Sequence, residues 1–145
     1  MPGSLDRSPI PIPSRFHRVQ FNSACHPGAP GLRGLDTGAN CEHFALELVR
    51  DFGCIVPDFR SRELWEDTTH TQRVTALEPL DLILVAREAD PFGAHVGVYL
   101  GKRLVIHLSE RIGVPAIESL EDLNNRPEYK HYIGAKRCRV RRLPS

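Results

Sequence analysis

The sequence predicts an α+β fold, because one amphipathic helical pattern occupies the first half of the chain and β-rich runs fill the second half. The helical pattern ends at residue 52, and the first apolar run typical of a strand begins at residue 82. Helices followed by strands favour an α+β domain over a parallel sheet with alternating helices. With 145 residues, of which 41% are hydrophobic, the chain can bury one core but is too short for two domains of ordinary size.

The strongest helical pattern covers residues 41–52. Starting at Cys41, apolar side chains recur with the spacing of one helical face. Asn40 is a favourable N-cap directly before the pattern, and Gly53 is a favourable C′ residue directly after it. Two shorter helices are predicted over residues 62–67 and 120–124.

Four strands follow, each marked by β-branched and aromatic residues. They are predicted over residues 82–86, 95–100, 104–108 and 132–140. The last carries alternating basic side chains, which we interpret as charges that protect an edge strand, with an anion-binding stripe as the alternative. These basic residues are Lys136, Arg137, Arg139, Arg141 and Arg142.

Composition divides the chain near residue 35. Residues 1–35 contain six of the twelve prolines and no apolar period, which predicts an irregular arm that either extends into solvent or wraps over the domain. Residues 36–145 then form the folded domain. The arm is the candidate contact for a protein partner.

Charge and hydropathy argue against several classes of partner. The 19 basic and 18 acidic side chains leave a net charge of +1, so no overall field attracts nucleic acid or a membrane surface. We expect no membrane span, because no run approaches the roughly 20 apolar residues that a span needs. The N-terminus also lacks the apolar run of a secretory signal, so we expect a cytoplasmic protein, with non-classical export left open.

Cys41 differs from the other cysteines in its position. The four cysteines, at positions 25, 41, 54 and 138, show no C-x-x-C spacing, and we expect free thiols. In the first turn of a helix, unpaired N–H groups and the helix dipole favour a thiolate, and the same N–H groups can stabilise an oxyanion. Alternatively, Cys41 is only the first apolar residue of a buried helix face.

His95 and His107 are the candidate partners of this thiol. His95 begins an apolar strand and His107 ends the next one, in a sheet that the helix of Cys41 must cover. A thiol nucleophile needs an imidazole within hydrogen-bond reach to take its proton and later protonate the leaving group. Either histidine alone is more often structural, but their place in consecutive strands after a helix-start cysteine indicates a catalytic site of Cys41, His95 and His107.

The turn between these two strands decides whether the imidazoles meet. Because side chains alternate across a strand, a two-residue turn at Gly101 and Lys102 would place the histidines on opposite faces. A three-residue loop over residues 101–103 would instead pair Gly97 with His107 and bring both rings to one face. We therefore predict the three-residue loop, with Gly97 making room for the rings.

A metal site is the weaker alternative, and we expect neither a metal nor another cofactor. Cys41 and His43 lie two residues apart on a helix and point in different directions, whereas zinc sites usually need three or four converging ligands. We interpret His43 and Glu42 as solvent-facing helix residues.

Three segments resemble the NlpC family of papain-like cysteine hydrolases, over roughly residues 36–120: NCEHFALELVRDFG, LDLILV and GAHVGVYLGKRLVIHL. In that family a cysteine at the start of a helix precedes a histidine that begins an H-V-G-x-Y strand, and a third polar residue follows on the next strand. Cys41, His95 and His107 match these positions in turn. The resemblance implies a papain-like fold with the nucleophile helix packed on an antiparallel sheet. It also implies hydrolysis of amide bonds, often in cell-wall peptides, through an acyl-thioester.

We therefore expect a cysteine peptidase or amidase that acts on a peptide or small amide. The motifs N-C-E-H-F and H-V-G-V-Y-L-G are also similar to those of the lecithin:retinol acyltransferase group, in which the histidine block comes first. A thiol acyltransferase or lipid-acyl hydrolase with the same three residues is the second expectation, and an apolar groove beside Cys41 would favour it. The third is a non-enzymatic binding or structural module that keeps the fold.

Overall fold

The computed structural model describes residues 5–142, which form a mixed α+β fold around a six-stranded antiparallel sheet. The strands are β1 (Thr71–Val74), β2 (Leu82–Ala86), β3 (His95–Gly101), β4 (Leu104–His107), β5 (Ala116–Ser119) and β6 (His131–Cys138). The α-helices in this part of the chain are α1 (Cys41–Asp51), α2 (Ser61–Glu66) and α3 (Leu120–Asn124). The predicted α+β class is confirmed. The outermost residues of the predicted arm and domain, 1–4 and 143–145, lie outside the described residues.

Helix α1 begins and ends where its capping residues predict. Asn40 has an extended backbone, and its side-chain oxygen accepts a hydrogen bond from the N–H of His43 at 2.9 Å. At the other end Gly53 has a φ of +98°, and its N–H donates to the carbonyl of Arg50. Local capping chemistry therefore places Cys41 in the first helical turn.

The other predicted helices and strands are found to within two residues at each end, whereas β1 and β5 were not predicted. β1 contains only four residues, two of them polar and exposed. β5 is equally short and directly follows Pro115. Such short segments carry too little periodic pattern to be recognised as strands.

The strand order is β1-β6-β2-β3-β4-β5, so β6 lies inside the sheet. The interpretation of its basic residues as protection of an edge strand is therefore wrong. Lys136 is fully buried and donates to the backbone carbonyls of Trp65 and Asp67. Arg137 forms a bidentate pair with Asp81. These two cations serve internal contacts rather than a surface stripe.

The two faces of the sheet are covered by different layers. Helix α1 packs on β3 and β4, where Phe44 shares a core with Val96 and Val98. On the opposite face, α3 covers a second core that includes Tyr99 and Val105. Successive residues of β3 therefore point alternately to the α1 layer and to the α3 layer.

The described part of the proline-rich arm wraps over the α1 layer. Ile12, Phe16, Val19 and Leu35 are buried in the same core as Phe44. The Phe16 ring meets the Phe44 ring edge to face, with centroids 5.9 Å apart. The arm is thus an integral cover of helix α1.

Cys54 and Cys138 form a disulfide, so the expectation of free thiols throughout is wrong. Their Cα atoms lie 6.0 Å apart although 84 residues separate them in sequence. The pairing arises because the end of β6 returns to the segment after α1, where the N–H of Ile55 donates to the carbonyl of Val140. Within the described residues, Cys25 and Cys41 are the free cysteines.

Candidate functional site

Cys41 is the first residue of α1 and lies beside the start of β3. The residue is partly exposed, and the backbone N–H groups of Val96 and Glu42 lie close enough to the sulfur to lower the pKa of its thiol. Because Val96 directly follows His95, the thiol and the imidazole lie at the same end of β3. Between residues 5 and 142, no hydrogen bond joins the sulfur to the His95 ring.

A buried hydrogen-bond network fixes the start of α1 against β3. Glu42 accepts from the Arg60 side chain at 2.7 Å and from the backbone N–H of Ser61 at 2.5 Å. The Ser61 hydroxyl lies 2.5 Å from both a Glu42 carboxylate oxygen and the carbonyl of Ala94. Since Ala94 precedes His95, this network links the helix that carries the thiol to the strand that carries the imidazole.

Glu42 and His43 are buried, so the interpretation of both as solvent-facing is wrong. Each is only 4% exposed. The Nε2 atom of His43 lies 2.7 Å from the carbonyl of Gly34, and its Nδ1 has no partner among the described residues. The helical pattern could not reveal this burial, because the segments that cover these side chains come from the arm and from α2.

His95 and His107 contact each other on one face of the sheet. His95 Nε2 lies 2.9 Å from His107 Nδ1, and the rings are perpendicular. His95 is 8% exposed and His107 is fully buried. Gly97 makes room for them, since a Cβ there would lie 2.6 Å from Val105 Cγ1 and 3.4 Å from His107 Cβ. The structure thus brings together the two imidazoles that were predicted to lie on one face of the hairpin.

The register that places both rings on one face does not come from the predicted three-residue loop. The pairing of β3 with β4 shifts by one residue between Tyr99 and Gly101, which is a β-bulge. The turn itself contains only Lys102 and Arg103, with positive φ values of 53° and 64°, as a type I′ hairpin requires. The predicted loop is therefore wrong, but the bulge supplies the extra residue that keeps both rings on one face.

Glu118 on β5 extends the histidine pair, and sequence reasoning missed it. Its Oε2 lies 2.5 Å from His107 Nε2, and Arg126 donates to both carboxylate oxygens at 2.8 and 2.5 Å. We call His95, His107, Glu118 and Arg126 the histidine relay. A weak signal was present, because Glu118 is the only charged residue in the segment VPAIES, but that segment was not recognised as a strand.

Tyr129 covers the outer member of the relay. Its ring stacks on His95, with centroids 4.4 Å apart and planes inclined by 16°. Burial raises the pKa of the Tyr129 hydroxyl to about 12, and the nearby Cys41 contributes in the same direction. Tyr129 therefore lies near both His95 and Cys41, although α1 packs on the sheet face opposite the rings.

Burial dominates the protonation states of the site. It raises the pKa of the Cys41 thiol to about 12 and outweighs the backbone hydrogen bonds that lower it. In the resting site, burial therefore opposes the effect of the helix start on the thiol. Burial, followed by the electrostatic effects of the neighbouring His107 and Arg126 side chains, lowers the pKa of His95 well below its ordinary value. Burial thus favours the neutral forms of both the Cys41 thiol and the His95 imidazole.

Glu118 behaves in the opposite way. Burial alone would raise the pKa of its carboxyl group, but hydrogen bonds and charges from His107 and Arg126 outweigh that effect and lower the pKa below its ordinary value. The carboxylate is therefore ionised near neutral pH. The relay ends in an ionised carboxylate that is held in place by Arg126.

A cavity of about 530 Å³ borders His95 and Tyr129. Its wall combines the aromatic side chain of Phe92, which is 74% exposed, with the charged side chains of Arg87 and Glu88. The cleft is therefore of mixed polarity rather than an apolar groove. Among residues 5–142, no group of three or more His, Cys, Asp or Glu side chains could hold a metal ion. None of the helices in that range has the length and apolar character to cross a membrane.

No protein-family model matches this chain, and no curated protein matches it.

Proposed function

We propose that this protein is a papain-like cysteine hydrolase of the NlpC type that cleaves a peptide or amide bond, with Cys41 as nucleophile, His95 as base and His107 as the residue that orients the base. The observation that carries the proposal is the 2.9 Å contact between His95 Nε2 and His107 Nδ1 at the end of β3 where Cys41 lies. That contact occupies Nε2 and leaves His95 Nδ1 as the ring nitrogen available to the thiol. The spacing of the three residues, which resembles the NlpC motifs, supports the same assignment.

In the first step the Cys41 sulfur attacks the carbonyl carbon of the substrate. The S–H bond breaks, its proton moves to His95 Nδ1, an S–C bond forms, and the carbonyl π electrons move to oxygen. Because burial disfavours both the thiolate and the imidazolium in the resting site, the proton transfer accompanies the attack rather than preceding it.

The first turn of α1 supplies a donor for the resulting oxyanion. The N–H groups of the first helical turn have no intrahelical acceptor. The Asn40 side chain satisfies the N–H of His43, and the N–H of Glu42 faces the sulfur. The N–H of Cys41 is the remaining donor beside the reacting carbon, and it favours the oxyanion over the neutral carbonyl.

Collapse of the tetrahedral intermediate completes the first half of the reaction. The C–N bond breaks as His95 returns the proton to the leaving nitrogen, and the acyl group stays on the sulfur as a thioester. A water molecule then gives a proton to His95 and attacks the thioester carbon; the C–S bond breaks, His95 passes the proton to the sulfur, and the acid leaves as the thiol is restored. Glu118, acting through His107, compensates the positive charge that His95 carries between these steps.

The mixed polarity of the cavity beside His95 favours a peptide or small amide as substrate, cell-wall peptides being the class that the motif resemblance suggests. A second candidate, a thiol acyltransferase or lipid-acyl hydrolase, uses the same residues and intermediate. The exposed ring of Phe92 at the cavity wall favours that candidate, because it offers apolar contact to an acyl chain. The two candidates differ in the acceptor of the acyl group, which is water for a hydrolase and another nucleophile for an acyltransferase.

Mass spectrometry of reaction mixtures tests the proposal. The protein is incubated with cell-wall peptides, simple peptide amides and short-chain acyl lipids, and both the products and the Cys41 peptide are analysed. We expect cleavage of an amide, a transient acyl adduct on Cys41 and loss of both in Cys41→Ala. Cys25→Ala, which changes the other free cysteine, is the matched control and should retain activity.

Three outcomes would contradict the assignment. Turnover of Cys41→Ala at the wild-type rate places the chemistry elsewhere. Transfer of the acyl group to an acceptor other than water identifies the second candidate. Absence of both turnover and adduct with all three substrate classes identifies a binding or structural module that keeps the fold.

A further inference from the structure

We propose that Glu118 is a positioning residue that fixes both histidines in the Nε2–H tautomer and thereby keeps Nδ1 of His95 free to accept the proton of Cys41. The inference rests on the proposed function, in which His95 is the base. At the far end of the histidine relay, the ionised carboxylate of Glu118 can only accept hydrogen bonds.

The hydrogen-bond roles follow in order from Glu118. An ionised carboxylate can only accept, so His107 Nε2, 2.5 Å from Oε2, must carry a proton and donate it. In the proposed arrangement His107 is a neutral imidazole, which has one N–H, so that its Nδ1 is an acceptor. His95 Nε2, 2.9 Å away, must then be the donor, and His95 Nδ1 keeps its lone pair.

Arg126 holds Glu118 in the state that this order requires. Its two terminal nitrogens donate to the two carboxylate oxygens at 2.8 and 2.5 Å, which favours the ionised form and fixes the plane of the group. A protonated Glu118 would instead be able to donate to His107 and reverse every role along the relay. The ion pair between Arg126 and Glu118 therefore protects the tautomer of a ring that neither residue contacts.

The relay needs no proton movement of its own during catalysis. When Cys41 transfers its proton to His95 Nδ1, His95 becomes an imidazolium with both nitrogens protonated, and its Nε2–H still donates to His107. When Nδ1 loses the proton again, the same Nε2–H tautomer is restored. His107 and Glu118 thus orient the base and stabilise its charge without taking up a proton.

Nuclear magnetic resonance of the ¹⁵N-histidine-labelled protein tests the proposal directly. Long-range ¹H–¹⁵N correlations at neutral pH distinguish Nε2–H from Nδ1–H tautomers, and the spectra of His95→Gln and His107→Gln assign the two rings. We expect both rings to be Nε2–H tautomers in the wild type. A proton on Nδ1 of either neutral ring overturns the proposal, whether or not a substrate has been found.

Glu118→Gln supplies the second test, because it keeps the shape of the side chain and adds donor hydrogens. We expect a second tautomer to become populated in both rings and kcat to fall by about tenfold to a hundredfold with KM little changed, since loss of the orienting carboxylate misplaces a proton rather than a binding contact. Glu118→Asp keeps the acceptor and should retain the wild-type tautomers. Glu121→Gln, an exposed glutamate on α3 that pairs with Arg103, is the matched control.

The two tests separate the possible failures. Unchanged tautomers together with an unchanged rate in Glu118→Gln overturn the positioning role. Nε2–H tautomers in a protein that cleaves none of the substrates support the relay while contradicting the proposed function.

Discussion

Two halves of the sheet each bury polar side chains, and they do so in different ways. In the half formed by β1, β6 and β2, Lys136 donates to two backbone carbonyls, and Arg137 forms a bidentate pair with Asp81. In the half formed by β3, β4 and β5, the histidine relay runs from Arg126 to His95, which borders a cavity and whose Nδ1 has no hydrogen-bond partner among the described residues. We call the first set closed, because its cations are hydrogen-bonded to groups of the protein, and the second set open, because its last nitrogen is not.

The contrast separates structural polar groups from groups available for chemistry. Buried polar atoms are expensive unless they are hydrogen-bonded, so a closed set is explained by stability alone. The Nδ1 atom of His95 contributes no hydrogen bond that would stabilise the fold, and it is available to a reacting group. Substitutions in the closed set should therefore reduce stability and leave chemistry intact, whereas substitutions in the open set should do the reverse.

His95→Ala should give the largest effect. Loss of the base should reduce the rate of acyl-enzyme formation by about 10²- to 10⁴-fold, measured by single-turnover kinetics with the best amide substrate. The free energy of unfolding, measured in urea, should change much less than the rate. His131→Ala, at the exposed start of β6, is the control and should change neither. A wild-type rate in His95→Ala would remove the distinction between the two halves.

Arg137→Met should give the largest loss of stability. It leaves the buried carboxylate of Asp81 without its cation, which should lower the free energy of unfolding by about 3 kcal/mol. Below the unfolding transition, the rate of hydrolysis per folded molecule should equal that of the wild type. Arg139→Met, at an exposed position on the same segment, should cost less than about 0.5 kcal/mol. A large fall in rate with unchanged stability would contradict the structural role of Arg137.

Gly97→Ala and Gly134→Ala should separate crowding at the relay from crowding elsewhere. A Cβ at Gly97 would press on Val105 and His107, and one at Gly134 would press on the Trp65 ring at 2.5 Å. Each should cost about 1–3 kcal/mol of stability, at Gly97 because Val105 and His107 are fully buried, and at Gly134 because of the Trp65 ring and a φ of +150° that strains an alanine. Only Gly97→Ala should also slow hydrolysis at a temperature where both variants are folded. Equal rates in the two variants would show that the position of His107 has no bearing on the reaction.

The free energy of unfolding should depend on pH through His95, and this is the smallest of the four predicted effects. Its pKa in the folded protein lies well below 6.5, so in the window just below pH 6.5 the unfolded chain binds a proton that the folded protein does not. Stability should therefore fall as the pH is lowered from 6.5 to 5, by at most about 1.4 kcal/mol per pH unit from this group. Urea unfolding across that range should show a shallower dependence in His95→Gln. Parallel plots of unfolding free energy against pH for the wild type and His95→Gln would contradict the assignment of this pH dependence to His95.

The sequence predicted the parts of the fold that local patterns determine. Helix α1 followed from the apolar spacing after Cys41 and from the caps Asn40 and Gly53, which act within a few residues of the helix ends. The contact between His95 and His107 followed from side-chain parity in a hairpin. Even there the loop was wrong, because a bulge in β3 gives the same register as a longer turn.

What could not be predicted depends on contacts between distant segments. Glu118 reaches His107 because β5 pairs with β4. The four residues of β5 are too few to show a pattern from which a strand could be predicted. Glu42 looks like a surface residue of an amphipathic helix until the N-terminus of α2 packs against it. The raised pKa of Cys41 has the same origin, since the helix start is visible in the sequence and the surrounding layers are not.

The Cys54–Cys138 disulfide and the Cys41 thiol place opposite demands on the redox state of the solution. The cross-link spans 84 residues, and closing a loop of that length stabilises a fold by about 4 kcal/mol through the restriction of the unfolded chain. The nucleophile, by contrast, works only while it is reduced. A reductant strong enough to open the cross-link would therefore keep the nucleophile chemically competent while weakening the domain that positions it.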